Sequence, residues 1–77
     1  MKHNVGDLVA RIRIDTENRQ ELSLGYISRI TSEYGHGYFV YFFDIEKDLW
    51  YSEDYVDIFK ETLESWNKNR RKILGEN

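Results

Sequence analysis

The chain has no cysteine and no proline, and only five glycines and one methionine among its 77 residues. Without cysteine there are no disulfides, no thiolate metal sites and no thiol nucleophile. Without proline, no strand or helix is interrupted by a residue that lacks its N–H. Long hydrophobic runs are also missing. No stretch approaches the length of a membrane span, and "MKHNVGDLV" has no apolar core of a signal peptide. These absences predict no membrane partner and a cytoplasmic location. A basic excess is lacking too, since the net charge is -3, which argues against a general nucleic-acid binder.

What is present is aromatic. Apolar residues make up 40% of the chain, yet two Trp, six Tyr and four Phe bring the aromatic share to 16%. A chain of this length forms one domain, and such rings can supply a small core where aliphatics are few. Charge is unevenly spread. Asp44, Glu46, Asp48, Glu53, Asp54 and Asp57 face Lys47 alone, whereas Lys68, Arg70, Arg71 and Lys72 follow without an acid between them. This pattern fits a solvated acidic rim and a helix end complemented by cations.

Period-two runs dominate the first two thirds. In "VGDLVARIRI", Leu8, Ala10, Ile12 and Ile14 share one parity, which predicts a half-buried strand with Arg11 and Arg13 on its solvated face. "LSLGYISRI" reads as a second strand. Its apolar parity slips between Ile27 and Ile30, predicting a bulge near Ser28 and Arg29, and Gly25 marks a bend or a close backbone approach. "SEYGHG" is a turn, "GYFVYFF" the third strand, "DIEK" a turn and "DLWYS" the fourth strand.

After Ser52 two readings compete. "YVDIF" is β-prone and alternates, which favours a fifth strand at Tyr55–Ile58 and a helix from Lys60 on. Tyr55, Phe59, Leu63 and Trp66 also fit one continuous helix from Glu53 with Ser52 as N-cap. Gly75 is the expected helix stop. Short strands without a crossover helix predict a small antiparallel barrel over 1–59 and an amphipathic helix and tail over 60–77 packed on it. An OB-fold carries a helix between its third and fourth strands, and four residues leave no room for one.

"VGDLV", "GYISRI", "YFVYFFD" and "EDYVDIF" together resemble SH3-like small barrels of the Tudor and KOW type. Tyr38, Val40, Phe42 and Asp44 match the spacing of the Tudor third strand, and Tyr26 and Phe43 fall at positions like those of its aromatic cage. Where the Tudor pattern continues with an aromatic, this chain has Ile45 and Glu46. There is also a loose likeness to SH3-like proteins of tailed phages, which would imply a structural or host-modulating role. The resemblance implies a five-stranded antiparallel barrel that binds protein or nucleic acid.

No catalytic residue, metal site or cofactor is expected. Ser23, Ser28, Ser32, Ser52 and Ser65 sit in no nucleophile motif, and His36 stands alone in its loop. Asp44, Glu46 and Asp48 alternate as in a calcium loop, but its glycine and closing glutamate are missing. The third strand carries the functional signal. With Tyr38, Val40 and Phe42 inward, Phe39, Tyr41 and Phe43 point the other way. Either the helix covers them through Leu63 and Trp66, or they form a contact patch with Tyr26 and Trp50 for a protein partner or a second copy. The rival reading is a nucleic-acid surface, with Arg11, Arg13 and Arg29 interleaving the rings and Arg70, Arg71 and Lys72 adding charge.

Overall fold

The computed structural model describes residues 2–32 and 35–73, with side chains as far as Asn69. Five elements follow in chain order: β1 (Leu8–Ile14), β2 (Gln20–Thr31), β3 (Gly37–Phe42), β4 (Lys47–Ser52) and α1 (Glu53–Ile73). The strands form one antiparallel sheet in the order β1-β2-β3-β4, each paired with its neighbour in sequence. The fold is mainly β with one helix. The bulge expected near Ser28 is present, because the β2–β3 register shifts between Ile27 and Arg29. Gly25 is a close approach. A Cβ there would run into the carbonyl of Tyr41 and the ring of Phe42.

Strand β3 has the parity that its sequence predicts. Tyr38, Val40 and Phe42 are fully buried, while Phe39 and Tyr41 are half-buried. The inner row joins Val9 and Ile27 in a single core, which Val56 and Phe59 of α1 close from above. Phe42 meets Phe59 and Tyr51 edge-on at 6.0 Å, and Tyr51 meets Phe59 at 4.8 Å. Such edge-to-face contacts match the positive rim of one ring to the negative face of the next.

Two expectations are corrected. Tyr55–Ile58 is helix, not a fifth strand, so the described residues form a four-stranded open sheet rather than a closed barrel. The reason is which side chains reach the core. Val56 and Phe59 are one helical turn apart and buried, while Tyr55 and Ile58 are 57% and 54% exposed. Glu53 and Asp54 in the first turn also favour a helix N-terminus there.

Strand β1 inverts its expected parity. Of the expected inner set Leu8, Ile12 and Ile14 are exposed and Ala10 alone is buried, and Val9 takes the core position. Arg11, on the side of Val9, holds its guanidinium 4.0 Å over the Phe42 ring and donates to the Tyr51 hydroxyl at 2.7 Å. A long apolar stem whose head stacks on a ring and bonds through one Nη can occupy an inner position that charge alone would forbid, even with Nε buried and unpartnered.

Trp66 is 40% exposed and peripheral to the core, and it lines a cleft with Leu8 and Leu24 of the sheet. The helix nonetheless crosses β1 closely enough that both Val9 and Ala10 are fully buried. Gly75, the expected stop, lies outside the described residues.

The start of α1 is held by the N-terminal segment. The Lys2 ammonium donates to Asp57 at 3.0 Å, and His3 Nε2 lies 2.6 Å from the same carboxylate. The Tyr38 hydroxyl accepts from the His3 N–H and donates to Glu53 at 2.9 Å. Further along, Lys60 donates to Asp7 at 2.6 Å. These contacts hold three carboxyls below their ordinary range: Asp57 through Lys2 then His3, Glu53 through Tyr38 then the Lys2 N–H, and Asp7 through Lys60. The same burial and the Glu53 carboxylate push the Tyr38 hydroxyl up.

Two outcomes follow from this packing. Phe59→Ala should cost roughly 3–5 kcal/mol in urea unfolding, and Trp66→Ala about half as much. A carboxyl whose folded pKa is depressed stabilises fully above its unfolded value and loses that contribution as pH falls through the folded one. The urea midpoint should therefore be flat down to about pH 5 and fall progressively below it. Asp57→Asn should lower the midpoint at pH 7 and flatten that acid limb.

Candidate functional site

Cross-strand partners share a face of the sheet, so the register defines the outer surface directly. One row runs Leu8, Tyr26, Tyr41 and Asp48 across all four strands. The next runs Arg29, Phe39 and Trp50. All five aromatics expected to bind a partner (Tyr26, Phe39, Tyr41, Phe43 and Trp50) therefore lie on one side of the sheet, opposite the core row.

They form two groups. Tyr26, Tyr41 and Phe43 touch pairwise, with ring centroids 5.6, 5.6 and 5.8 Å apart. At that spacing the rings pack on one another and present a continuous apolar surface instead of the walls of a cation slot. The second group is built on Phe39. Arg29 lies 4.3 Å over its ring, and Trp50 is its partner on β4. The indole lies flat on Gly37, where any Cβ would collide with it. Gly37 therefore acts as a platform that holds Trp50 against the sheet, leaving it 37% exposed.

Between the groups sits a polar pair. Ser28 donates to Asp48 at 2.6 Å, and these two with Arg29 and Phe39 line a shallow depression. The described side chains of the far half of α1 reach this side along β1 and at Phe43. There Leu8, Leu24, Leu63 and Trp66 enclose, with Phe43, an apolar cleft of about 350 Å³. Phe43 remains 53% exposed, and neither Phe39, Tyr41 nor Trp50 lines that cleft. Leu8 and Leu24 were not among the expected contact residues. The parity that Leu24 shares with Tyr26 in "LSLGY" was the available signal.

The arginines of the rival reading do not gather on this face. Arg11 is folded over Phe42, and Arg13 pairs with Asp44, which also accepts from Ser23 at 2.7 Å. The Asp44 carboxyl is held below its ordinary range by Ser23 and then Arg13. Arg29 alone shares the surface with the rings. The side chains of Arg70, Arg71 and Lys72 lie outside the described residues. Among the described residues no three His, Asp or Glu converge as metal ligands, and no helix is long and apolar enough to cross a membrane.

No family model, curated protein or solved structure matches the chain.

The role of Gly37 is directly testable. Gly37→Ala should displace the Trp50 indole, seen as a red shift and easier quenching of Trp50 fluorescence in a Trp66→Phe background. The core contacts of Tyr38 should survive, so the fold should remain.

Proposed function

We propose that this chain is a non-catalytic protein-binding module, an adaptor, accessory subunit or regulator that works through the outer face of its sheet. The observation that supports this is the gathering of Tyr26, Tyr41 and Phe43, and beside them Phe39 and Trp50, on the face opposite the core row, which the described part of α1 meets at the Phe43 cleft. A small domain that devotes five rings to the side away from its core carries an apolar patch of the kind that marks interaction sites. Tyr and Trp suit such contacts because they bury area and keep a polar handle. Kinship with SH3-like barrels of the Tudor and KOW type belongs to the same proposal. The antiparallel four-strand meander and its bulge support it, and α1 stands where a fifth strand was expected.

The nucleic-acid alternative loses support from the internal engagement of Arg11 and Arg13. Random single- or double-stranded DNA or RNA should bind no tighter than about 10⁻⁵ M at physiological salt, as read by gel shift. Salt-sensitive binding well below that value would favour a KOW-like nucleic-acid role instead.

The aromatic face is tested by separating stability from association. Phe43→Ala and Trp50→Ala should each shift unfolding by no more than about 1 kcal/mol, because both rings are partly exposed. Each should weaken capture of the native partner, or sedimentation as a self-associated species, by the roughly 2 kcal/mol expected of a central aromatic. If both variants fold and bind like the wild type, the face is not the contact surface.

A further inference from the structure

We propose that the open edge of β4 takes up an extended basic segment of a partner protein as an added strand. This rests on the protein-binding reading above and specifies its mode and its chemistry. The hydrogen-bond pattern identifies which backbone groups are available. Phe43 N–H donates to the Leu24 carbonyl at 3.0 Å, so Phe43 and Tyr41 direct their backbone groups toward β2. Tyr38, Val40 and Phe42 then direct theirs toward β4, where Tyr51, Leu49 and Lys47 receive them. The backbone groups of Asp48 and Trp50 and the Ser52 N–H consequently point away from the sheet, while the Ser52 carbonyl starts the α1 ladder, and β4 is the last strand.

The other edge is different. Strand β1 is crossed by α1, with Val9 and Ala10 fully buried, Lys60 tied to Asp7, and Leu8 facing Leu63 across the cleft. An added strand on β1 would have to displace the helix. On β4 it would not.

Charge decides what kind of segment fits. Glu46, Asp48 and Asp54 are exposed along and beside this edge against Lys47 alone, and no ion pair among the described residues neutralises the three acids. A strand added antiparallel to β4 places one residue opposite Trp50 and the second after it opposite Asp48. An aliphatic or aromatic residue suits the first and Lys or Arg the second, since opposite charges across a pair attract and rings favour β-branched neighbours. The occupant is thus an extended apolar-x-Lys/Arg segment whose side chains continue the outer face. A second copy joined β4 to β4 would bring two acidic edges together, which is unfavourable.

The test uses the full chain and a blocked peptide, acetyl-Lys-Thr-Val-Thr-Lys-Thr-Lys-amide, followed by NMR. Binding should weaken with added salt and slow hydrogen exchange at the amides of Asp48, Trp50 and Ser52 at least about ten-fold. N-methylation of the peptide at Val and the following Lys should abolish it, and a Glu-for-Lys peptide should not bind. Asp48→Lys should weaken it while leaving the fold intact. Affinity weaker than about 1 mM overturns the proposal. So does binding that perturbs Tyr41 and Phe43 without protecting the β4 edge, which leaves the face reading standing and removes strand addition. Protection of those amides in free protein that sediments as a dimer would give the edge to a second copy.

Discussion

Phe42 and Phe59 meet edge to face, and the use of both sides of the sheet depends on that contact. A four-stranded sheet has two faces, and this chain has one helix to cover them. By seating Phe59 and Val56 on the row of Tyr38, Val40 and Phe42, α1 completes the core on one side. It leaves the other side to Tyr26, Phe39, Tyr41, Phe43 and Trp50. In a domain this small, where burial is scarce, the helix cannot serve both faces at once. The aromatic outer face is the consequence of where the helix is spent.

The clamp at the start of α1 makes that choice stable. Tyr38 is a core residue whose hydroxyl surfaces among His3, Glu53 and the N-terminal segment. It therefore links the apolar row to the first helical turn, and Asp57 ties the same turn to Lys2 and His3. A helix fixed at its first turn by these contacts has its crossing direction set before it reaches β1. Its described far half then meets the sheet at the rim formed by Leu8, Leu24 and Phe43.

The sequence made some of this legible for identifiable reasons. Alternation in "GYFVYFF" set the parity of β3, since shifting it by one residue would exchange Tyr38, Val40 and Phe42 for the outer rings. The parity slip around Ser28 marked the bulge. What could not be read was decided by tertiary contact. In "LVARIRI" Leu8 and Val9 serve either parity equally well, and a burial count that treats Arg as solvated selects the wrong one. Only the Phe42 ring and the Tyr51 hydroxyl make an inward Arg11 favourable. "YVDIF" likewise satisfies two periods, and the helix prevails because Val56 and Phe59 both find the core. The gathering of the five outer rings on one face followed from parity, but their division around Arg29 and Gly37 did not. Those contacts join residues from different strands, and only the register brings them together.

The two edges of the sheet carry the same logic one step further. An unpaired strand edge is a hazard that proteins blunt with covering elements or with charge. This chain uses a different device at each end. At β1 the cover is steric, with α1 packed along the strand, Lys60 bonded to Asp7 and Leu63 beside Leu8. At β4 the edge is short and flanked by Glu46, Asp48 and Asp54, so protection is electrostatic. Steric cover excludes every strand alike. Electrostatic cover excludes acidic and self-complementary strands and attracts basic ones. The acidic flank of β4 therefore both discourages edge-to-edge self-pairing and sets the charge of whatever does approach, beside Trp50 and the aromatic face that it borders.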